Sequence, residues 1–547
     1  MKYKRSMILD TNKIWMYAKE LLNNKKYMIP VCLTAFFSFG YEIFHGSIGA
    51  DDMTLKLYFV DGLAPQIGRN TLYLINKVLR ISDFSPVITD FLGVFLMIIA
   101  ATILGAAFQE IFFEGGETWL CTIFTSTMIS FSLTSEVYIY YLHNGIGIGY
   151  FLTTVALIII WGNKGDYVIR LLLSSACLTF AITCYESFAL VFLLGFFLLH
   201  WFMIMKKDKS IGIGQYIKDF VINMIPVMIL ALVGRQTITL LINKHPLENY
   251  SPRGLGAGKW IFQKDALDNI REIVQGVIRD YGINSIVICS LMILNVVLLF
   301  FLIDLLVRCI GLKNWMGLLN GLGMLCVPWL FLIIEGHTTA YRQMQALNIL
   351  EGFALMVLCY RVSQIGNIGK VGKWFAIICS LVVIYNQSFE QNYFYYIDYL
   401  RYTDDVAKMD HIMLEICRNY DIQKPLCFIA DEGEVSSGII KEYYYYDKNS
   451  SEYIAMSKWA SKLGITLETN ESGYCPFQTL ALDVPVWAAS AWDGNYAEEE
   501  FLKMHGYNIV LGTKDMLDEA NEIGKQMQSW PMEGSIKDMK SYIVIKL

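Results

Sequence analysis

No CxxC pair and no Cys/His spacing of the metal-binding kind occurs in the 547 residues, although the chain has 12 cysteines. The tail from residue 400 shows no glycine-rich phosphate loop and no nucleophile elbow, so there two large classes of soluble enzyme lose their usual signatures. A nucleic-acid footprint is missing as well: the formal net charge is −6, and no basic stripe is present. The first 30 residues are basic but lack an apolar core followed by a small-residue cleavage site. This predicts that no signal peptide is removed and that the first apolar span serves as the signal. No internal repeat is visible, which counts against a secondary transporter built from matching halves.

What is present is apolar. Hydrophobic residues make up 55% of the chain and the mean hydropathy is +0.42, whereas an ordinary globular chain is about 45–50% apolar. The composition predicts a polytopic α-helical membrane protein. A span needs ~20 mainly apolar residues. That ruler marks eleven segments, near 30–48, 86–108, 118–135, 146–161, 168–183, 186–205, 221–243, 284–306, 315–334, 344–360 and 373–387. Lys2, Lys4, Arg5, Lys13, Lys19, Lys25 and Lys26 precede the first, and Lys164, Arg170, Lys206, Lys207, Lys209, Arg308, Lys313, Arg361, Lys370 and Lys373 fall in the alternating connections. The positive-inside rule therefore places the N-terminus in the cytoplasm and the chain beyond about 388 outside a multi-pass cell membrane. Many cysteines, Cys32, Cys177, Cys184, Cys289 and Cys379 among them, lie within apolar runs, which predicts small buried hydrophobes.

From residue 400 onward the chain has 14 Lys and Arg against 24 Asp and Glu, so this tail carries −10 and the rest +4. Two domains follow: a transmembrane part, 1–399, and a soluble extracytoplasmic part, 400–547. The tail alternates an amphipathic helix (404–419), a buried strand (425–430), a helix (498–505), a strand (508–511), a helix (514–528) and a last strand (542–545), which predicts a small α/β domain. Cys417, Cys427 and Cys475 would supply one disulfide and a spare thiol. Tyr443–Tyr446, Tyr453, Trp459, Trp487 and Trp492 either stack on sugars or pack the domain.

On that topology four polar features share the outer face. Asp51 and Asp52 end the first apolar segment. Residues 65–80 form an amphipathic helix too charged to span, with Ile67, Leu74, Ile75 and Val78 on one face and Arg69, Tyr73, Asn76, Lys77 and Arg80 on the other; it should lie in the membrane interface. Tyr185 and Glu186 sit at the hinge of an apolar hairpin. Glu335, His337, Tyr341 and Arg342 form a polar knot between two spans.

These groups fit transfer of a sugar from a lipid phosphate to a hydroxyl. The attacking oxygen needs a base, which a carboxylate supplies. The leaving phosphate needs cations, and arginine binds its oxygens bidentately. Each group has a plainer reading: Asp51 and Asp52 as a solvated loop, Arg69, Lys77 and Arg80 snorkelling to headgroups, Arg342 pairing with Glu335, and Glu186 capping a helix turn.

The order of these motifs resembles the Gtr-type (GtrII-like) glucosyltransferases of the GT-C class, which modify O-antigen and related cell-envelope glycans. The carriers are Asp51-Asp52, Gly68-Arg69, Tyr185-Glu186-Ser187, Tyr341-Arg342, the run 386–394 leading into 424–429, and the closing run 530–537, which looks like the family's C-terminal strand pair. The resemblance implies an inverting enzyme with polyprenyl-phosphate glucose as donor and a cell-surface glycan as acceptor. It also implies an Asp of the first outer loop, Asp51 or Asp52, at the reaction centre. Substrate-binding positions would be Arg69, Lys77, Arg80, Tyr185, Glu186, Glu335, Tyr341 and Arg342. Some GT-C enzymes use a divalent metal and others do not, which leaves a metal at Asp51-Asp52 open. The chain departs from the family in Asn70, where an aromatic residue is expected, and in Glu186, where an amide is expected. Glu186 is then a second acid-base group or a neutral stand-in for the amide. Two other readings remain: a transporter or flippase of polyprenyl-linked sugars, and a glycan polymerase relying on Arg253, Arg271 and Arg279 of loop 244–283.

Overall fold

The computed structural model of the chain describes residues 9–48, 63–79, 86–113, 116–138, 145–205, 213–242, 259–311, 314–365, 369–429, 446–467, 469, 474 and 496–547. A helix occupies each of the eleven apolar segments. Among the described residues eight helices are long and apolar enough to cross a membrane, the first Lys25–Phe44 and the last Gly369–Asn419. The expectation of eleven spans thus divides. Ile146–Trp161 and Tyr167–Ile182 have 16 residues each and rise about 24 Å, less than a hydrocarbon core of about 30 Å. Thr118–Ser130 is shorter still, at 13 residues.

The chain folds as two compact units: Met1–Phe44 with Asp61–Tyr138 and His143–Tyr393, and His45–Val60 with Ile139–Leu142 and Phe394–Leu547. In the first unit, helix starts follow local chemistry. Asp10 accepts the amides of Asn12 and Lys13 and caps Thr11–Asn23, whose Ile14, Ala18 and Leu21 turn inward. Asn24 accepts the amide of Lys26, so the next helix begins before Pro30 instead of at it. The core of this unit is aromatic: the Phe108 ring lies 5.2 Å from Phe124 and from Phe202 and 5.6 Å from Phe353. Hydroxyls bridge helices inside it, as where Tyr27 meets Thr102 at 2.8 Å and Thr125 at 2.9 Å. Outward the helices are greasy: Phe36, Phe37, Val233, Leu240, Phe300 and Leu381 are all exposed. Apolar surface of that extent belongs against lipid.

Small residues set the closest approaches. A Cβ on Gly147 would lie 2.1 Å from the carbonyl oxygen of Gly93, so the helices Pro86–Phe108 and Ile146–Trp161 touch through backbone. Gly147→Val should therefore force them apart and cost about 1–3 kcal/mol or more, read as a lowered thermal unfolding midpoint in detergent. An unchanged midpoint would show that this contact is not tight.

The second unit contains a sheet of three strands, Leu426–Ile429, Ile536–Asp538 and Ile543–Lys546, the last in the middle. β1 (Leu426–Ile429) runs parallel to β3 (Ile543–Lys546), and β2 (Ile536–Asp538) pairs with β3 antiparallel. The helix Lys514–Gly524 covers it, with Ala520 packed among Cys427, Ile429 and Val544. Residues 508–511 do not form the expected strand, because pairing there is confined to one bridge, Leu426 with Leu511. The expected break between a last span and a tail helix is also missing. Gly369–Asn419 is one helix of 51 residues, since neither glycine nor proline interrupts 373–419. Cys417 and Cys427 are free thiols, and Cys475 lies outside the described residues. Within the same unit Arg401 is buried against Asp398 at 2.8 Å and Asp405 at 3.6 Å, and it donates to the Ile48 carbonyl at 3.1 Å. Ser47 donates to Asp398. These contacts anchor the chain just before Asp51.

Candidate active site

The site starts from a tight turn. The helix Tyr167–Ile182 ends when Thr183 turns its hydroxyl back onto the Thr179 carbonyl at 2.8 Å, and the helix Phe188–Met205 follows at once. The intervening residues expose little backbone: the amide of Tyr185 bonds to Ala181, and the carbonyl of Tyr185 accepts from Phe188. Thr183 also meets Thr71, hydroxyl to hydroxyl at 2.6 Å and carbonyl to amide at 3.2 Å. That contact docks the Asn70–Leu79 helix against the turn and delivers Gly68-Arg69 to Tyr185-Glu186. Gly68 has φ +87°, a backbone region glycine enters without penalty.

Polarity on the Asn70–Leu79 helix is the reverse of a soluble amphipathic helix. Arg69, Asn70, Thr71 and Asn76 are buried, whereas Leu74 and Val78 are exposed. Most of the polar side faces protein, Lys77 excepted, while Leu74 and Val78 face out.

Arg69 lies over the Tyr185 ring, its guanidinium carbon 4.6 Å from the centroid. Its Nε is 4.0 Å from Glu186 Oε2. The other oxygen of Glu186 receives Arg235 Nη2 at 3.0 Å, and the same nitrogen approaches the Ile67 carbonyl at 3.5 Å. Arg235 projects from the apolar helix Ile225–Ile242. A Cβ on Gly234 would lie 2.7 Å from Thr179 Oγ1, so this glycine lets the Arg235 helix close on the helix that leads to Glu186.

A second pair adjoins. Glu136 is buried; it accepts the Arg342 amide at 2.8 Å and stands 3.7 Å from the Arg342 guanidinium. Gln345 holds the Arg342 carbonyl, and Tyr150 donates to the Gln345 carbonyl at 2.9 Å while accepting from Asn348 at 2.8 Å. Burial raises the Tyr185 phenol above its ordinary value; the Arg69 and Arg342 cations oppose that shift and Glu186 and Glu136 add to it. All four charged groups thus act on one buried ring. Tyr281 is likewise buried and raised, chiefly by desolvation, then by Asp280 and Glu136.

Of the residues singled out in the sequence, Arg69, Tyr185, Glu186 and Arg342 come together. Tyr341 is next to them but committed elsewhere, donating to the Asp280 carbonyl at 2.7 Å and accepting from Asn284 at 3.1 Å. Glu335 is exposed at the end of the helix Leu330–Glu335. The carboxylate that pairs with Arg342 is Glu136, not Glu335. Lys77 is exposed and lies over the Tyr73 ring of its own helix at 4.4 Å. Asp51, Asp52 and Arg80 lie outside the described residues.

Glu136 and Arg235 were not singled out. Arg235 had a legible signal, a lone arginine within an apolar segment, where a charge costs about 2.5–3.5 kcal/mol and marks function. Glu136 follows its segment directly and looks like an ordinary loop acid. Among the described residues no three His, Cys, Asp or Glu side chains are grouped to hold a metal. Among the described residues Arg69, Arg235 and Arg342 stand with Glu136 and Glu186, three guanidiniums to two carboxylates, a grouping suited to an anion.

Compared with known proteins, the chain matches a family model described as Glucosyl transferase GtrII over residues 40–359, more than half its length. No curated protein and no solved structure matches.

Proposed function

Because the chain belongs to the family described as Glucosyl transferase GtrII, we propose that it moves a glucosyl unit from a polyprenyl phosphate to a cell-envelope glycan at the outer face of the cell membrane. The observation that carries the donor reading is the convergence of Arg69, Arg235 and Arg342 on two carboxylates around buried Tyr185, with lipid-facing helices beside them.

The chemistry follows from charge. An acceptor hydroxyl attacks the anomeric carbon; a carboxylate, Asp51 or Asp52, takes its proton, and the bond from that carbon to the phosphate oxygen breaks with its electron pair going to oxygen. The glucosyl phosphate diester carries one negative charge and the departing prenyl phosphate carries a second. Cations fixed around the phosphate are therefore worth more as the bond breaks than before, which is the condition for accelerating the step. One displacement inverts the anomeric configuration.

In this reading the N-terminus is cytoplasmic, the apolar helices form a GT-C-like membrane domain, and the α/β part beyond 400 is outside and helps position the acceptor. To test the donor, purified protein would be given polyprenyl-phosphate glucose or a nucleotide-linked glucose, with glycan acceptor. Consumption of the lipid-linked donor alone is expected; consumption of the nucleotide-linked one instead would overturn the reading.

A further inference from the structure

Glu186 is shared by two guanidiniums, one on each oxygen: Arg235 at 3.0 Å and Arg69 at 4.0 Å. A carboxylate presenting two oxygens to two cations has the shape and sign of part of a phosphate, and here the Arg69 and Arg235 guanidiniums both face it. Arginine in an apolar helix is expensive, yet a single salt bridge with a partly exposed carboxylate returns little. The arrangement is also prepared on the backbone side. A Cβ at position 68 would lie 2.7 Å from Arg235 Nη2, so Gly68 leaves the space the Arg235 guanidinium fills. Next to it, Leu232, Val233, Leu74 and Val78 are exposed and apolar, as the approach of a phosphate on a hydrocarbon chain requires.

We propose that Glu186 and a lipid-borne phosphate compete for one place between Arg69 and Arg235, which makes Arg235 the second cation of the phosphate site. This rests on the donor reading above and adds two assignments to it. Arg235 binds the phosphate directly. Glu186 is a positioning residue: it keeps both guanidiniums aimed at one point and turns away when the phosphate arrives. The product, with its second charge, displaces it more completely than the donor does.

The test is binding of farnesyl phosphate to the full-length protein in nanodiscs of neutral lipid, with farnesol, inorganic phosphate and phosphatidylglycerol as further arms. Arg235→Gln should weaken farnesyl phosphate binding about tenfold or more, since a hydrogen bond to a charged group is worth about 1.5–3 kcal/mol, and should leave farnesol binding unchanged. Glu186→Gln should strengthen it, by about threefold or more, because an internal competitor is removed. The opposite signs separate this account from a purely structural ion pair, in which both variants would weaken binding. If Arg235→Gln does not fold, Glu186→Gln alone decides: equal or weaker binding overturns the proposal. Unchanged binding in Arg235→Gln would also overturn it and leave the donor reading standing. Equal binding of farnesol and farnesyl phosphate by the unaltered protein would instead sink the donor reading itself. Inorganic phosphate binding as tightly as farnesyl phosphate, or full competition by phosphatidylglycerol, would assign the site to free phosphate or to bilayer headgroups and contradict the proposal.

Discussion

Asparagine in place of Asp51 or Asp52 should lower turnover by about 10²–10⁴ at whichever position is the base, the usual worth of general base catalysis. The substitution keeps size and hydrogen bonding but cannot accept the proton of the acceptor hydroxyl. Donor affinity should change little, because in this account arginines hold the phosphate. Asp52 is the favoured base, standing one residue farther along the chain from the first apolar span. Steady-state kinetics on both variants, with donor affinity measured separately, distinguishes a base from a phosphate ligand. Full activity in both would return the pair to a solvated loop.

The second large effect is expected at Glu136. Glu136 is buried beside a part-exposed Arg342, so removing its carboxylate takes an acceptor from the Arg342 amide and should cost about 1–3 kcal/mol. Glu136→Ala should accordingly lower the unfolding midpoint and abolish transfer, as Arg342 loses both its amide acceptor at 2.8 Å and its side-chain counter-ion. Replacing both residues by apolar ones, Glu136→Leu with Arg342→Met, should restore part of the stability without restoring transfer. Thermal unfolding and activity measured on the same preparations separate the two roles. A double variant that recovers activity would show that Arg342 holds the fold and does not act on substrate.

Much of this site is legible in the sequence, but unevenly. Arg69, Tyr185, Glu186 and Arg342 can be named because the topology puts an amphipathic helix, an apolar hairpin and a polar knot on one face, in an order that resembles the family's. Their partners are harder. Glu136 and Arg342 are 206 residues apart and Glu186 and Arg235 are 49 apart, and hydropathy does not report which polar groups at one end of a helix bundle meet. The Asn70–Leu79 helix shows a related limit: periodicity reveals two faces, but only packing tells that most of the polar one is buried. In the second unit β1 and β3 follow from their apolar runs, as does Lys514–Gly524 from its periodicity. Residues 508–511 read as a strand by the same rule and make a single bridge, because strand pairing needs a neighbour that a local pattern cannot supply.

The most direct test of the central claim puts polyprenyl-phosphate glucose, a cell-envelope glycan and purified protein in one vessel. Donor loss, prenyl phosphate release and acceptor mass are followed together, and the anomeric configuration of the new bond is read by NMR. The account predicts equal amounts of prenyl phosphate and glucosylated glycan, with inverted configuration. Donor that crosses the bilayer unaltered, or glucose transferred with retention, would contradict it.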